Sequence, residues 1–464
     1  MRAILQKILC IEIAAIFFFL FFNRGVFVQL FKNSTQHSIQ PKNTSLNDRE
    51  VLDGLKKAVG EFLMVHGGVA TINGGRLNSE GVMANIIMKE KETFVVYRNR
   101  HEQIELVGIP DKGSFIPFYM KREKGSWMPV SLSFFGNENN ISMGTSSLEN
   151  YSFYEKILLR QYNSITIQDD TPWTYSEPIE KNEDVRRAQN RVRILTSSGV
   201  KDIRVHAILY PQNFPEWLKT GNFSKTQLRD IMKKRIEYIM ELYPKATSFV
   251  IVNEPSVPNN GREKSDIFYR TWGNYNYITD AFQFARNYAK EKRRNVELLF
   301  NDGDNHYKAS PTRDSTREIV AQLKKSNLID GVGMQTHLGN WAYGQAISFD
   351  LMISQFKDEL QYYKKIEVPV YITELTYAPS DGEMAYEKNI IAERINESSS
   401  YVFGELVKAS IESKIVRGIT TWGFTDKYIG HINWYQLFND EGKPKKAYYK
   451  VLKELYAGAI RKQK

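Results

Sequence analysis

Residues 225–255 read KTQLRDIMKKRIEYIMELYPKATSFVIVNEP, and the fold turns on them. Apolar side chains return every three or four positions from Leu228 through Met232, Ile236 and Ile239 to Tyr243. That is the spacing of a helix with one buried face, and it predicts a helix over Lys225–Tyr243. Pro244 follows, where a helix cannot easily continue. Ser248–Asn253 is then a short apolar run rich in valine and isoleucine, a strand buried on both faces. It breaks off at the polar sequence Asn253-Glu254-Pro255. A long amphipathic helix feeding a short buried strand is one unit of an alternating α/β fold.

The same alternation extends outward in both directions. Short apolar runs at Ile141–Gly144, Ser164–Ile167 and Ile203–Tyr210 precede it, and Glu297–Asn301, Gly331–Thr336, Val370–Glu374 and Gly418–Trp422 follow. Helical patterns at Asp280–Lys290, Arg313–Ser326, Phe349–Tyr363 and Ala392–Ser413 lie between the later ones. Eight strands with intervening helices suit a closed (β/α)8 (TIM) barrel occupying residues 138–464. An open doubly wound sheet is the structural alternative, but no Gly-x-Gly-x-x-Gly turn follows any of the runs.

Upstream of the barrel the chain changes character. Arg2 and Lys7 precede the apolar run Ile8–Phe22, broken only by Glu12, and Gly25–Phe31 is again mostly apolar. Residues 1–31 are therefore expected to be a signal peptide or signal-anchor, placing the protein outside the cell or on its surface, with a membrane tether through residues 8–31 as one outcome. Residues 32–47, rich in Ser, Thr, Asn and Gln, read as a linker. Residues 48–137 are expected to form a small, partly β accessory region, with one helical stretch at Val51–Val65 and apolar runs at Thr93–Tyr97 and Phe115–Tyr119. The single cysteine is Cys10, so disulfides, thiolate metal sites and a catalytic thiol are excluded from the folded body. The net charge of +10 comes from basic residues scattered through helical patterns, without a Lys/Arg block interleaved with aromatics, and a nucleic-acid partner is not expected. A monomer is the expected state.

In a barrel of this kind chemistry sits where the strands end. The fourth run ends in Asn253-Glu254, the fifth in Asn301-Asp302, the sixth in Gln335-Thr336-His337, the seventh in Glu374 and the eighth in Trp422-Gly423; the third carries His206 and ends Tyr210-Pro211-Gln212-Asn213. Any one strand-end glutamate could be a salt-bridged rim residue. Two of them, accompanied by amides, histidines and a tryptophan, point instead to cleavage of a glycosidic bond, which needs one carboxyl to donate a proton and a second to attack or to activate water.

Six stretches in chain order give this reading a family. They are Ile203-Arg204-Val205-His206 with Phe214-Pro215-Glu216-Trp217; Ile251-Val252-Asn253-Glu254; Leu298–Asp302; Gly331-Val332-Gly333-Met334-Gln335-Thr336-His337-Leu338; Tyr371-Ile372-Thr373-Glu374-Leu375; and Thr421-Trp422-Gly423-Phe424-Thr425-Asp426-Lys427-Tyr428. Over residues 138–456 the chain resembles glycoside hydrolase family 10, the endo-β-1,4-xylanase family of retaining (β/α)8 glycosidases. The resemblance implies a double displacement on a β-1,4-linked, xylan-like polysaccharide or oligosaccharide, with Glu254 as acid/base and Glu374 as nucleophile. It further implies that Asn253 bonds the sugar 2-hydroxyl, that Gln335 and His206 face the same sugar, that His337 orients the nucleophile and that Trp422 forms the floor. It calls for no cofactor and no metal.

The departures fall on the sugar-gripping shell. Where xylanases of the family usually show Glu-Asn-x-Met-Lys-Trp, this chain has Gln168-Asp169-Asp170-Thr171-Pro172-Trp173. The usual Trp-His-Ser-Gln is Tyr210-Pro211-Gln212-Asn213, which makes Tyr210 a candidate sugar contact. A second family tryptophan falls on Gly430, with Trp434 as its candidate substitute. Buried hydrogen-bonding groups discriminate strongly among substrates, so this shell leaves open a non-xylan substrate, a transglycosylase of the same clan, or a surface carbohydrate-binding pseudoenzyme. The retained pair Glu254 and Glu374 argues against the pure binder.

Overall fold

The structure is a computed structural model. It describes residues 70–78, 81–88, 93–98, 104–111, 114–123, 126–129, 131–146, 161–168, 171–182, 202–255, 266–303, 310–338, 348–377, 388–426, 435–439 and 444–463, with a few single residues between them. The expected signal or anchor segment, the linker and the helix at Val51–Val65 lie outside these residues. No helix among the described residues is long and apolar enough to cross a membrane.

The first strands form a six-stranded antiparallel meander in sequence order. They are β1 (Ala70–Asn78), β2 (Gly81–Met88), β3 (Thr93–Arg98), β4 (Ile104–Asp111), β5 (Ser114–Glu123) and β6 (Ser126–Pro129). The expected runs Thr93–Tyr97 and Phe115–Tyr119 fall inside β3 and β5. Asp111 pairs with Ser114 and Glu123 with Ser126, leaving two residues ending in glycine between the partners. That is the length of a tight hairpin connection.

The remaining strands build the barrel. They are β7 (Ser142–Ser146), β8 (Ser164–Ile167), β9 (Asp202–Val205), β10 (Ser248–Asn253), β11 (Glu297–Asp302), β12 (Gly331–Met334), β13 (His337–Leu338), β14 (Val370–Tyr377) and β15 (Val416–Thr421). Parallel pairing runs from β7 through β12, passes from β12 to β14 and β15, and returns from β15 to β7. The sheet is therefore closed, with β13 a two-residue ladder on the far end of β14. Both faces of the strands are buried, as in β8, β10 and β12, and this explains why the sequence runs are apolar rather than alternating.

Each strand lies within a residue or two of its sequence expectation except two. The third run was expected to reach Tyr210, but β9 stops at Val205 and the His206–Ala207 peptide is cis. The chain then continues beside β10 through Ile208 N–H to Val250 O (3.0 Å) and Leu209 N–H to Ile251 O (3.1 Å). The seventh strand runs three residues beyond Glu374, because Thr376 and Tyr377 find partners in β13.

The helices follow the same logic. In chain order they are α1 (Leu132–Glu138), α2 (Trp173–Ser176), α3 (Glu216–Thr220), α4 (Lys225–Leu242), α5 (Ile267–Trp272), α6 (Asn276–Glu291), α7 (Pro311–Lys325), α8 (Phe349–Lys365), α9 (Lys388–Ser413) and α10 (Lys446–Gln463). Helix α4 begins where Ser224 and Gln227 cap each other reciprocally, worth about 1 kcal/mol. Its Leu228, Met232, Ile236, Ile239 and Met240 are fully buried, each contributing roughly 1.5–3 kcal/mol of hydrophobic stabilisation. Inside the barrel, buried Arg204 of β9 reaches across to Thr420 of β15 and lies over the ring of Tyr371 of β14.

Candidate active site

The two strand-end glutamates differ in setting. Glu254 follows β10 directly, with a backbone φ of 42° that non-glycine residues seldom adopt, at a cost of about 1–3 kcal/mol. Its N–H is held by Asn301 O at 3.1 Å. The side chain is half-buried and meets three donors among the described residues. Gln335 Nε2 approaches Oε1 at 2.7 Å, while Tyr210 O–H and Gln212 Nε2 reach Oε2 at 3.1 and 2.8 Å. Glu374, on β14, is only 4% exposed. Asn301 Nδ2 donates to its Oε1 at 2.9 Å, and His337 Nε2 lies 3.2 Å from its Oε2. A buried carboxylate is tolerable only when such donors replace water.

One hydrogen-bonded network joins the two acids. Asn301 Nδ2 also donates to Asn253 Oδ1 (2.8 Å), and Gln335 Nε2 lies 3.4 Å from that same oxygen while bonding Glu254. Thr373 O–H closes the network on Asn301 Oδ1 at 2.6 Å. The strands permit this because Gly333 of β12 has no Cβ; one built there would stand 2.0 Å from Asn301 Oδ1. Behind Glu374, His337 Nδ1 meets Thr376 Oγ1 at 3.0 Å, so the imidazole is held from both sides.

His206 is 7% exposed and stands with its Nε2 3.7 Å from Glu374 Oε1, too far for a hydrogen bond. Burial pushes its pKa below the ordinary 6.5, against the opposing pull of Glu374 and Glu254, so the contact is that of a neutral imidazole with a carboxylate. The His206 ring packs edge-on against Trp422, with centroids 5.2 Å apart. These two rings, with Gln168, Pro172, Trp173, Tyr210 and Asn213 among others, line a cavity of about 100 Å³. Arg235 of α4 braces the cavity wall from behind. It donates to Thr171 O and Ser176 Oγ and lies over the Trp173 ring.

Of the residues singled out from sequence, Asn253, Glu254, Gln335, His337 and Glu374 thus share one network. His206, Tyr210 and Trp422 line one cavity, and Tyr210 also touches Glu254. Trp434 lies outside the described residues. Other participants were not singled out: Asn301 bridges Asn253 to Glu374, Thr373 bonds Asn301, Thr376 bonds His337, and Gln212 contacts Glu254. Asn301 ends an apolar strand as Glu254 does, a signal that is present in the sequence; Gln212 sits in a three-residue 3-10 turn (Pro211–Asn213) where nothing in the sequence sets side-chain direction.

A closed parallel (β/α)8 barrel that brings two strand-borne glutamates into one hydrogen-bonded cluster, beside an aromatic-lined cavity, defines a glycoside hydrolase of the barrel class. The chain belongs to glycosyl hydrolase family 10, whose model matches residues 134–454. Endo-1,4-beta-xylanase 2 of Aureobasidium pullulans is 27% identical over 312 residues, covering 63% of this chain and 80% of the relative. Endo-1,4-beta-xylanase B of Thermotoga neapolitana is 23% identical over 337 residues, covering 69% of this chain and 90% of the relative. The native xylanase 10B from Thermotoga maritima has the same fold, with a TM-score of 0.61 over 72% of this chain and 100% of that one at 21% identity.

Proposed function

We propose that the protein cleaves β-1,4-linked, xylan-like polysaccharide or oligosaccharide by a retaining double displacement. Glu374 attacks the anomeric carbon while Glu254 protonates the departing glycosidic oxygen; Glu254 then activates the water that releases the covalent glycosyl-enzyme. The observation that carries this reading is the asymmetry of the two acids. Glu374, buried and met by Asn301 and His337, is prepared as an ionised nucleophile. Glu254, half-buried beside the exposed Gln212, is open to a leaving group and to water. In this reading Asn253 holds the 2-hydroxyl of the attacked sugar, Gln335 and His206 face the same ring, Tyr210 lies beside the leaving oxygen, and Trp422 and Trp434 offer apolar faces to sugar C–H groups.

The relatives named as endo-1,4-beta-xylanases support xylan as the substrate class. A pure binder is not favoured, since it needs neither a proton donor nor a nucleophile. Action outside the cell or at its surface is supported by Arg2, Lys7 and the apolar run Ile8–Phe22. The test is hydrolysis of an aryl β-xyloside and β-glucoside panel, and of xylan, by wild type and Glu374→Ala, with the first-formed anomer read by NMR. Cleavage with retention, lost by roughly 10⁴-fold or more in the variant, is expected. An inverted first product, or equal activity in Glu374→Ala, refutes the mechanism.

A further inference from the structure

We propose that Gln212 is a positioning residue which, with Tyr210, makes Oε2 of Glu254 the oxygen that carries the transferable proton. The inference rests on the acid/base role proposed for Glu254 and concerns how that role is executed.

One oxygen of Glu254 cannot carry the proton. Oε1 of Glu254 faces Gln335 Nε2 at 2.7 Å, and that nitrogen also lies 3.4 Å from Asn253 Oδ1. Turning the Gln335 amide over would bring its oxygen against both of those oxygens. Asn253 cannot turn over to relieve this, because its Oδ1 accepts from Asn301 Nδ2, and Asn301 is fixed in turn by Thr373 O–H and Glu374. Gln335 is 3% exposed, and its Oε1 lies against Gly303, where even a Cβ would stand 2.8 Å away. Oε1 therefore always meets an N–H. A proton placed there would set two hydrogens against each other.

Oε2 is different. One partner is the Tyr210 hydroxyl, which donates or accepts by rotating about its C–O bond. A second, among the described residues, is Gln212 Nε2 at 2.8 Å, on an exposed side chain whose amide can turn. Both partners can yield to an O–H and return as donors once the proton has gone. The step balances: the Oε2 proton moves to the glycosidic oxygen, which takes the electrons of the breaking C–O bond and leaves as an alcohol, while Glu374 bonds the anomeric carbon. The carboxylate that remains on Glu254 then receives donors at both oxygens, a form of stabilisation realised only as charge develops.

The backbone holds Gln212 for this task. Pro211–Asn213 is a 3-10 turn closed by Asn213 N–H to Tyr210 O (2.9 Å), and Lys219 Nζ donates to Gln212 O at 3.2 Å. The serine usual at this position in the resembled family has a shorter side chain and no amide. Glutamine at 212 is thus a feature of this chain.

A graded series of aryl β-glycosides tests the inference, using the full-length protein and the glycone the wild type cleaves. Leaving groups run from 2,4-dinitrophenol, which departs without protonation, to phenol, which does not. In Gln212→Ala the loss of kcat/KM is expected to grow along the series, roughly tenfold larger for phenyl than for dinitrophenyl, a fraction of the 10²–10⁴ that general acid catalysis supplies. Gln212→Glu, which keeps the reach and removes the donor, is expected to show the same gradient. An equal loss on every substrate, or no loss on any, overturns the inference while leaving the glycosidase reading intact. A wild type inactive across the whole series overturns the glycosidase reading itself, and this inference with it.

Discussion

Gly333→Ala tests whether the two acids depend on one shared support. A Cβ at position 333 would stand 2.0 Å from Asn301 Oδ1, 2.9 Å from its Cγ and 2.9 Å from Thr373 Cγ2, where ordinary contact begins near 3.4 Å. The carboxamide must therefore retreat by more than an ångström. It cannot do so without breaking bonds, since Asn301 is fully buried and joined to Thr373, Asn253 and Glu374 at 2.6, 2.8 and 2.9 Å. Losing the bond to the ionised carboxylate costs about 1.5–3 kcal/mol and each neutral bond about 0.5–1.5 kcal/mol. A destabilisation of about 3 kcal/mol is expected if the first bond and one or two of the others are lost. Because the same bonds hold Glu374 and Asn253, the nucleophile and the 2-hydroxyl contact proposed above, kcat is expected to fall about 10²-fold. Urea unfolding reports the first quantity and aryl-glycoside turnover the second. The decisive comparison is a double-mutant cycle with Asn301→Ala. Once the carboxamide is gone, the added methyl still meets Thr373 Cγ2 at 2.9 Å but no longer displaces the amide, so the double variant should lose clearly less than the sum of the two single losses. Full additivity, or a Gly333→Ala protein with native stability and turnover, refutes the reasoning.

Two other perturbations probe the surroundings. Arg235→Ala removes the donors to Thr171 O and Ser176 Oγ and the cation above Trp173. It is expected to cost about 2–4 kcal/mol in thermal unfolding and to raise KM, with little rescue by lysine, which lacks the planar fork; an unchanged KM would sink the idea that this wall binds substrate. His206 supplies a pH dependence. Burial lowers its pKa from 6.5 in the folded protein, so as pH falls through that value the unfolded chain takes up a proton that the folded one refuses. Stability is therefore lost on the acid side of about 6.5, by at most about 1.4 kcal/mol per pH unit, until the folded value is reached. His206→Gln is expected to flatten that part of the curve in urea titrations at stepped pH, and an equally steep curve in the variant refutes the assignment.

The barrel was legible because its determinants are local and periodic. Ser248–Asn253 and Glu297–Asn301 announce themselves by being apolar on both faces, and Lys225–Tyr243 by its spacing of three and four; each lands within a residue of its structural bounds. The ends of strands were less legible wherever their pairing depends on a distant segment. Glu374 closes an apolar run, yet β14 continues to Tyr377 because residues 337 and 338, far away in the chain, pair with it. Ile203–Tyr210 reads as one strand, but hydrogen bonding passes from the ladder to single contacts with β10 after Val205. Within the site, residues that end apolar strands stood out. Gln212 did not, because an exposed side chain on a three-residue turn carries no periodic signal for its direction.

That contrast bears on how the site divides its labour. Asn253, Asn301, Gln335 and Glu374 stand on or directly after strands of a closed sheet, where displacing one strand disturbs both neighbours. Their mutual distances are therefore tied to the barrel itself. The cavity wall is built differently: Gln168, Thr171, Pro172 and Trp173 follow β8, while Tyr210 and Asn213 lie beyond β9, on segments that close onto helices α2 and α3. Loops tolerate substitution far better than barrel strands do. The departures from the usual family sequence at Gln168–Trp173 and Tyr210–Asn213 fall on these segments, while the strand-borne acids and amides are kept. Such a division lets the sugar that fits change without moving the two carboxylates proposed to cut it. Tyr210 and Gln212 are the points at which the two layers meet, loop residues bonded to a strand-end acid. By the inference drawn above, a change at Gln212 is expected to act on proton transfer, whereas one at Pro172, in the cavity wall, is expected to act on which sugar fits.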